Sequence, residues 1–187
     1  MRRNFFIPLI LIISLLFSSC NGCSSKQENI SWFDTSNYGY DSYDDDETTT
    51  PVDDDGSVKI PYTEKYGNTI TIPVKINGMG LDMIFDTGAS STCITLAEAK
   101  YLYGKGTLKD DDIFEQMQFQ TADGSISVGL RINLREVIIG DKLQLQNVEA
   151  LVVKNQQAPL LLGQSVMKLF REISVDRENG VVKFFIK

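Results

Sequence analysis

The chain has 187 residues, room for one domain with extensions or for two small domains. It carries 18 Lys and Arg against 25 Asp and Glu, a net charge of −7, and no histidine. Lack of histidine excludes a Ser-His-Asp triad, a Cys-His pair, a histidine-ligated metal and a zincin motif, so acid–base chemistry falls to carboxylates, Lys, Tyr or a thiol. The acidity disfavours nucleic acid as a partner, because phosphate neutralisation needs a basic face.

Arg2 and Arg3 precede an apolar run from Phe5 to Phe17, 13 residues interrupted only by Pro8 and Ser14. A membrane-spanning helix needs roughly 20 residues; this run has the length of a signal-peptide hydrophobic region. Phe17-Ser18-Ser19-Cys20 then resembles a bacterial lipobox, with Phe17 where Leu is usual. That resemblance implies a signal peptide over 1–19, lipidation of Cys20 and a lipid anchor in a membrane of a bacterial envelope, periplasmic or surface-exposed. The alternative is ordinary cleavage near Ser19 with Cys20 left free.

Residues 20–57 read as an acidic, disordered tether. Ser24 to Lys59 holds ten acidic and two basic residues with no apolar period, a composition that buries too little apolar surface to offset the entropy of ordering. Asp53-Asp54-Asp55-Gly56 invites comparison with a calcium loop, but Pro51 stands at the first ligand position and Val58 to Ile60 runs into a strand, so no calcium site is expected. From Ile60 to Lys187 the charges balance, 14 basic against 15 acidic; the acidity belongs to the tether and the folded domain is expected over 58–187. Cys23 lies in the tether and Cys93 in an apolar strand, which implies no disulfide framework and makes Cys93 a small buried hydrophobe.

The domain reads as short strands in succession. Thr69 to Ile76 alternates polar and apolar residues, Asn77-Gly78-Met79-Gly80 is a hairpin turn, and Leu81 to Phe85 returns. Ser91 to Thr95 is a strand, and Leu96 to Tyr103 suits a two-turn helix ended by Gly104. Met117 to Thr121 and Ser125 to Leu130 flank a second hairpin tip, Ala122-Asp123-Gly124. Strands are expected at Ile132 to Ile139, Leu143 to Val153 and Leu160 to Leu162, and a short helix from Gln164 to Phe170. Ile173 to Val175 and Val181 to Ile186 close the chain around Arg177-Glu178-Asn179-Gly180. So many short strands with little helix predict an all-β fold, a small barrel or an orthogonal sandwich. The last strand, Val181 to Ile186, is a candidate interface element or, equally, a core strand.

Chemistry concentrates in Phe85-Asp86-Thr87-Gly88-Ala89-Ser90, directly after the apolar strand. Alone, Asp-Thr-Gly can be a strand-end turn in which Asp bonds the backbone. Three features speak against that: a hairpin feeds the Asp strand, Thr121 to Ser125 could fold over a cleft, and Leu160-Leu161-Leu162-Gly163 ends an apolar run before a helix-like segment. This order, hydrophobic-D-[ST]-G-A-[ST], then a Gly-containing flap, then hydrophobic-hydrophobic-G, resembles the retropepsin-like aspartic proteases over Thr69 to Lys187. The resemblance implies a small closed barrel of the acid-protease type with one or two short helices. It assigns Asp86 as the catalytic carboxylate, Thr87, Gly88 and Ala89 as its loop, Ala122, Asp123 and Gly124 as a substrate-binding flap, and Leu162 and Gly163 as the second-half loop. Retroviral members commonly carry an acid at the Ser90 position and Arg at the Gln164 position; here both are neutral.

Hydrolysis without metal or histidine needs one group to activate water and another to protonate the carbonyl. Two adjacent carboxylates cannot both ionise, so they share a proton and divide those roles. Gly88 would let its amide approach Asp86, and Thr87 would brace the loop against its twin, as the family does across subunits. Asp123-Gly124 and Asp55-Gly56 lack the middle Ser or Thr, so the chain has a single D-[ST]-G. One Asp cannot make a pair, so an active enzyme must be a two-fold homodimer acting on a peptide or protein substrate. No metal or other cofactor is called for. The alternative is a non-enzymatic, peptide-binding envelope lipoprotein that keeps the barrel.

Overall fold

In a computed structural model the structure describes residues 52–65 and 67–187. The expected signal peptide over 1–19, Cys20, Cys23 and most of the expected acidic tether lie outside the described residues. Among the described residues, eleven strands, two short α-helices and a 3-10 turn at Asp110–Asp112 follow in chain order. The strands and α-helices are β1 (Ser57–Pro61), β2 (Thr63–Lys65), β3 (Thr69–Ile76), β4 (Met79–Phe85), β5 (Thr92–Thr95), α1 (Leu96–Gly104), β6 (Ile113–Gln120), β7 (Ile126–Ile139), β8 (Leu143–Val153), β9 (Leu161–Leu162), α2 (Gln164–Met167), β10 (Phe170–Asp176) and β11 (Val181–Ile186). Among the described residues no helix is long and apolar enough to cross a membrane.

Eight strands form one sheet in the order β2-β3-β4-β9-β5-β8-β7-β6, and a further β3–β7 pairing closes it into a barrel. Closure through β3 and β7 leaves β2 and β6 as the outer strands of this sheet among the described residues. The alternation expected in β3 is present: Ile72, Val74 and Ile76 point inward with at most 2% exposure, while Pro73 and Lys75 face out. Asn77 and Gly78 both take positive φ, 45° and 84°, the two-residue turn whose twist matches its strands. Ile132, Leu134, Val148, Ala150 and Val152 supply the facing wall of the core.

The structure extends or corrects several predicted elements. β7 is one strand of 14 residues, not two. Between the two expected strands, Arg131 points outward, pairs with Glu115 at 2.6 Å and lies over the Phe114 ring. Helix α1 begins on a capping box in which Thr95 Oγ1 accepts from the Ala97 amide at 3.2 Å and Glu98 accepts from the Thr95 amide. It ends at Gly104, as the sequence predicts, and the chain then turns through Gly106, with the Thr107 amide donating back to the Leu102 carbonyl. β6 begins at Ile113 rather than Met117. Phe170 opens β10 instead of ending α2, because its ring packs on Phe184 at 4.9 Å between centroids. β2 is a three-residue strand with every residue exposed, and it carries no apolar signal that sequence could have revealed.

The remaining strands form a second sheet, β1-β11-β10. β11 is its centre, antiparallel to β1 on one side and to β10 on the other, with Val182 and Phe184 fully buried. Both hydrogen-bonding edges of Val181–Ile186 are therefore used within the chain, and of its two sequence readings the core strand is the one realised. Before β1, Asp53 to Gly56 form a turn rather than loose chain: the Asp55 carboxylate accepts from the Ser57 amide and hydroxyl, and Asp53 and Asp55 each lie 3.7 Å from Lys59 Nζ.

Candidate active site

The barrel's topology builds an arch. β4 and β5 are consecutive along the chain but not adjacent, because β9 lies between them. β9 runs parallel to β4, with Ile84 opposite Leu161 and Phe85 opposite Leu162, and Leu161 also faces Cys93 of β5. The loop from Asp86 to Ser91 must therefore cross over the end of β9. Its backbone is pinned there: the Asp86 amide donates to the Leu162 carbonyl at 3.1 Å, and the Gln164 amide donates to the Ala89 carbonyl at 2.9 Å. A β-carbon on Gly163 would run into the Ser91 carbonyl and come within 2.9 Å of the Ala89 oxygen. Only glycine lets loop and strand approach this closely.

Within the arch the Gly88 amide donates to Asp86 Oδ1 at 2.8 Å, the contact expected from the motif. Asp86 is half-buried while Thr87 and Gly88 are exposed, so the carboxylate stands at a surface rather than inside the barrel. Phe85 anchors the strand below, meeting Phe184 edge-on at 6.3 Å. Leu162 is fully buried, and Leu162 and Gly163 are brought directly to the Asp86 loop, as the sequence order implied.

Three polar residues that sequence reasoning left without a role complete the arch. Gln164 Nε2 donates to the Thr87 carbonyl at 2.8 Å. Thr92 is fully buried; its hydroxyl accepts from the Gly163 amide at 3.2 Å and its amide donates to Ser165 Oγ at 2.9 Å. A buried polar group must be hydrogen-bonded, and here those bonds tie the two loops together. The only trace of this in sequence is a polar residue directly before each apolar pair, Thr92 before Cys93-Ile94 and Ser165 before Val166-Met167.

Cys93 lies behind the arch. It is half-buried rather than a core residue, and its Sγ donates to the Ser91 carbonyl at 3.4 Å. Burial first, and the charge of Asp86 second, push its thiol up to about 11.

The β6–β7 tip is a cross-tied turn. The Thr121 amide donates to the Ser125 carbonyl and the Gly124 amide to the Thr121 carbonyl, both at 2.9 Å. Asp123 Oδ1 accepts from Thr121 Oγ1, Ser125 Oγ and the Ser125 amide at 2.5, 2.8 and 3.0 Å. The Thr121 and Ser125 bonds hold the Asp123 carboxyl down at about 2. Its carboxylate is thus committed to the turn, and Ala122 to Gly124 stand exposed at the tip. Gly124 has φ 85°, a conformation costly for any side chain. Among the described residues no group of three or more His, Cys, Asp or Glu could hold a metal ion.

Residues 72–169, slightly over half the chain, match the family described as "gag-polyprotein putative aspartyl protease". Among solved structures, the chain is similar to a retropepsin-like aspartic protease from Rickettsia conorii, at a TM-score of 0.51 and 22% identity, over 69% of this chain and 89% of that one. No curated protein sequence matches. The solved structure shares the fold, an all-β barrel of the retropepsin type.

Proposed function

The chain belongs to the aspartyl protease family of gag polyproteins, and from that premise we propose that it is an aspartic endopeptidase in which Asp86 of two identical chains forms the catalytic pair. The observation that carries this is the fixed Asp86 carboxylate, with one oxygen already held by the Gly88 amide. Across a two-fold axis the two carboxylates share one proton, because two like charges at contact cannot both persist. The ionised one takes a proton from water as that water attacks the peptide carbonyl. The protonated one donates to the carbonyl oxygen, which leaves a tetrahedral diol that collapses with protonation of the departing amine. Amide donors such as that of Gly88 stabilise the ionised form and fix its direction. The β6–β7 turn covers the bound peptide and offers it backbone groups.

In the same proposal the enzyme sits in a bacterial envelope, anchored through lipidated Cys20 after removal of residues 1–19, with the acidic segment from residue 20 up to the Asp53–Gly56 turn as the spacer. Replacing Cys20→Ala should move the protein from the membrane to the soluble fraction; unchanged membrane association would remove the anchor from the proposal.

The shared pair is tested by mixing. Asp86→Asn should abolish peptide cleavage while keeping the fold, since the amide can neither hold the shared proton nor act as base. Exchange of mutant and wild-type chains at fixed total protein should give activity falling as the square of the wild-type fraction, about a quarter remaining at equal amounts. A linear fall would mean that each chain works alone. No cleavage in any mixture, over a wide pH range and a broad peptide library, would favour a non-enzymatic peptide-binding protein.

A further inference from the structure

Asn-Gly occurs three times in the chain. Asn21-Gly22 lies outside the described residues, while Asn77-Gly78 and Asn179-Gly180 each sit in a turn between antiparallel strands. An asparagine side chain before glycine is open to attack, because the following amide nitrogen has no β-carbon beside it to keep the two apart. We propose that Asn179 is a site of spontaneous covalent modification, where the Gly180 nitrogen closes on the side-chain amide and the β10–β11 turn converts to aspartate and isoaspartate. The reaction needs only water and nothing from Asp86, so it stands apart from peptide cleavage.

The bonds balance without an oxidant. The Gly180 nitrogen forms a bond to Asn179 Cγ, the Cγ–Nδ2 bond breaks, and the displaced nitrogen leaves as ammonia with the proton that Gly180 gives up. Water then opens the cyclic imide. Opening at the side-chain carbonyl gives aspartate, and opening at the main-chain carbonyl gives isoaspartate.

The two described pairs differ in what holds the amide. Asn77 is half-buried, its Oδ1 accepts from the Glu136 amide at 2.9 Å, and its Nδ2 donates to the Thr107 carbonyl at 2.8 Å. Turning that side chain onto Gly78 would break bonds to two separate segments. Asn179 is exposed, and among the described residues its side chain bonds one group, the Asp176 carboxylate of the same turn, through Nδ2 at 2.9 Å. A β-carbon on Gly180 would meet nothing within 4 Å, so there is room for the ring to close.

The product undoes what the amide holds. Asp176 accepts from the backbone and side-chain amides of Asn179 at 3.1 and 2.9 Å and pairs with Lys183 at 3.1 Å. A carboxylate in place of the side-chain amide removes a donor and sets two like charges in contact, which cannot both stay ionised. Isoaspartate also adds its β-carbon to the main chain, inside the turn that closes Asp176 against Val181. The Gly180 carbonyl accepts from the Tyr62 amide at 3.1 Å, so the disturbance reaches the segment between β1 and β2.

The test incubates the full-length protein at pH 8, natively and in denaturant, and reads the conversion of amide to acid in its tryptic peptides by mass spectrometry. Natively, Asn179 should convert at least about tenfold faster than Asn77, and in denaturant the two rates should agree within about threefold, because only the fold distinguishes them. Asn179→Gln should block conversion at this position, since the longer side chain closes a larger ring poorly. Asn179→Asp, which reproduces one product, should lower the melting temperature by about 2–4 °C. Native conversion at Asn77 as fast as at Asn179, or none at Asn179 while the unfolded chain converts, would overturn the assignment. An unchanged melting temperature in Asn179→Asp would overturn the disruption of the turn.

Discussion

The side-chain amide of Gln164 donates to the carbonyl of Thr87 at 2.8 Å, joining the start of α2 to the middle of the Asp86 loop. In the retroviral pattern this position carries Arg, paired with an acid where this chain has Ser90. Here a neutral amide reaches the loop backbone instead, so the tie between the two halves of the site survives without charge.

Gln164→Ala should therefore act on the chemistry more than on the fold. The bond is exposed, so its loss should shift the melting temperature by no more than about 2 °C. The loop would lose one of its fixed points, and misplacing a reacting group by even about 1 Å can cost on the order of a hundredfold. We expect kcat for peptide cleavage to fall about tenfold with KM little changed. Equal loss of stability and activity would show that Gln164 serves folding alone.

Gly163→Ala tests the crossing itself. The added methyl would meet the carbonyls of Ser91 and Ala89, which are backbone atoms and cannot rotate away. Overpacking of this kind costs roughly 1–3 kcal/mol, and relief would move the Asp86 loop. Denaturant unfolding should show that loss, and cleavage should fall with it. An alanine variant with wild-type stability and turnover would mean that loop and strand are less tightly apposed than here.

The sequence made β3, β4, β8 and β11 legible because their alternation or apolar runs are dictated by one buried face. The Asp86 motif and Leu162-Gly163 were legible because chemistry and close approach leave few residue choices. What stayed hidden was relational. The continuity of β7 through Arg131 depends on Glu115 and Phe114 from another strand. Thr92 and Ser165 gain meaning only when β9 is inserted between β4 and β5 and brings them within 2.9 Å of each other's groups.

Cys93 should be chemically quiet despite its position behind the Asp86 loop. Its thiol is pushed up to about 11 from an ordinary 9.0, chiefly by burial and secondarily by the Asp86 charge. The neutral thiol is the form the fold favours, so this contribution to stability is whole below pH 9 and is lost as pH rises through about 11. The thiolate is the reactive species, so iodoacetamide at pH 8 should label Cys93 at least about tenfold more slowly than an unfolded control, read by peptide mass spectrometry. In Asp86→Asn one of the two causes disappears, and labelling should quicken. Fast labelling in the native wild type would contradict the burial described for this residue.

The flap tip offers a prediction in pH and one in sequence. Asp123 accepts from the hydroxyls of Thr121 and Ser125 and from the Ser125 amide, and its carboxyl is lowered from 3.8 to about 2. A folded-state value below the unfolded one stabilises the turn above the unfolded value, and that stabilisation disappears as pH falls through about 2. The Ser125 amide should therefore be protected from exchange at pH 4 and lose protection progressively toward pH 2, while amides in β3 and β8 stay protected. Asp123→Ala should show the unprotected behaviour at every pH. Gly124→Val reaches the same turn by sterics, since a β-branched residue at φ 85° costs roughly 1–3 kcal/mol. The strain falls at the end of β6 and β7 beyond the β3–β7 closure at Val137 to Ile139, so the melting temperature should hold while peptide turnover drops. Both variants should raise KM if the turn covers the substrate. Unchanged kinetics in both, on several unrelated peptides, would remove the β6–β7 tip from the binding site.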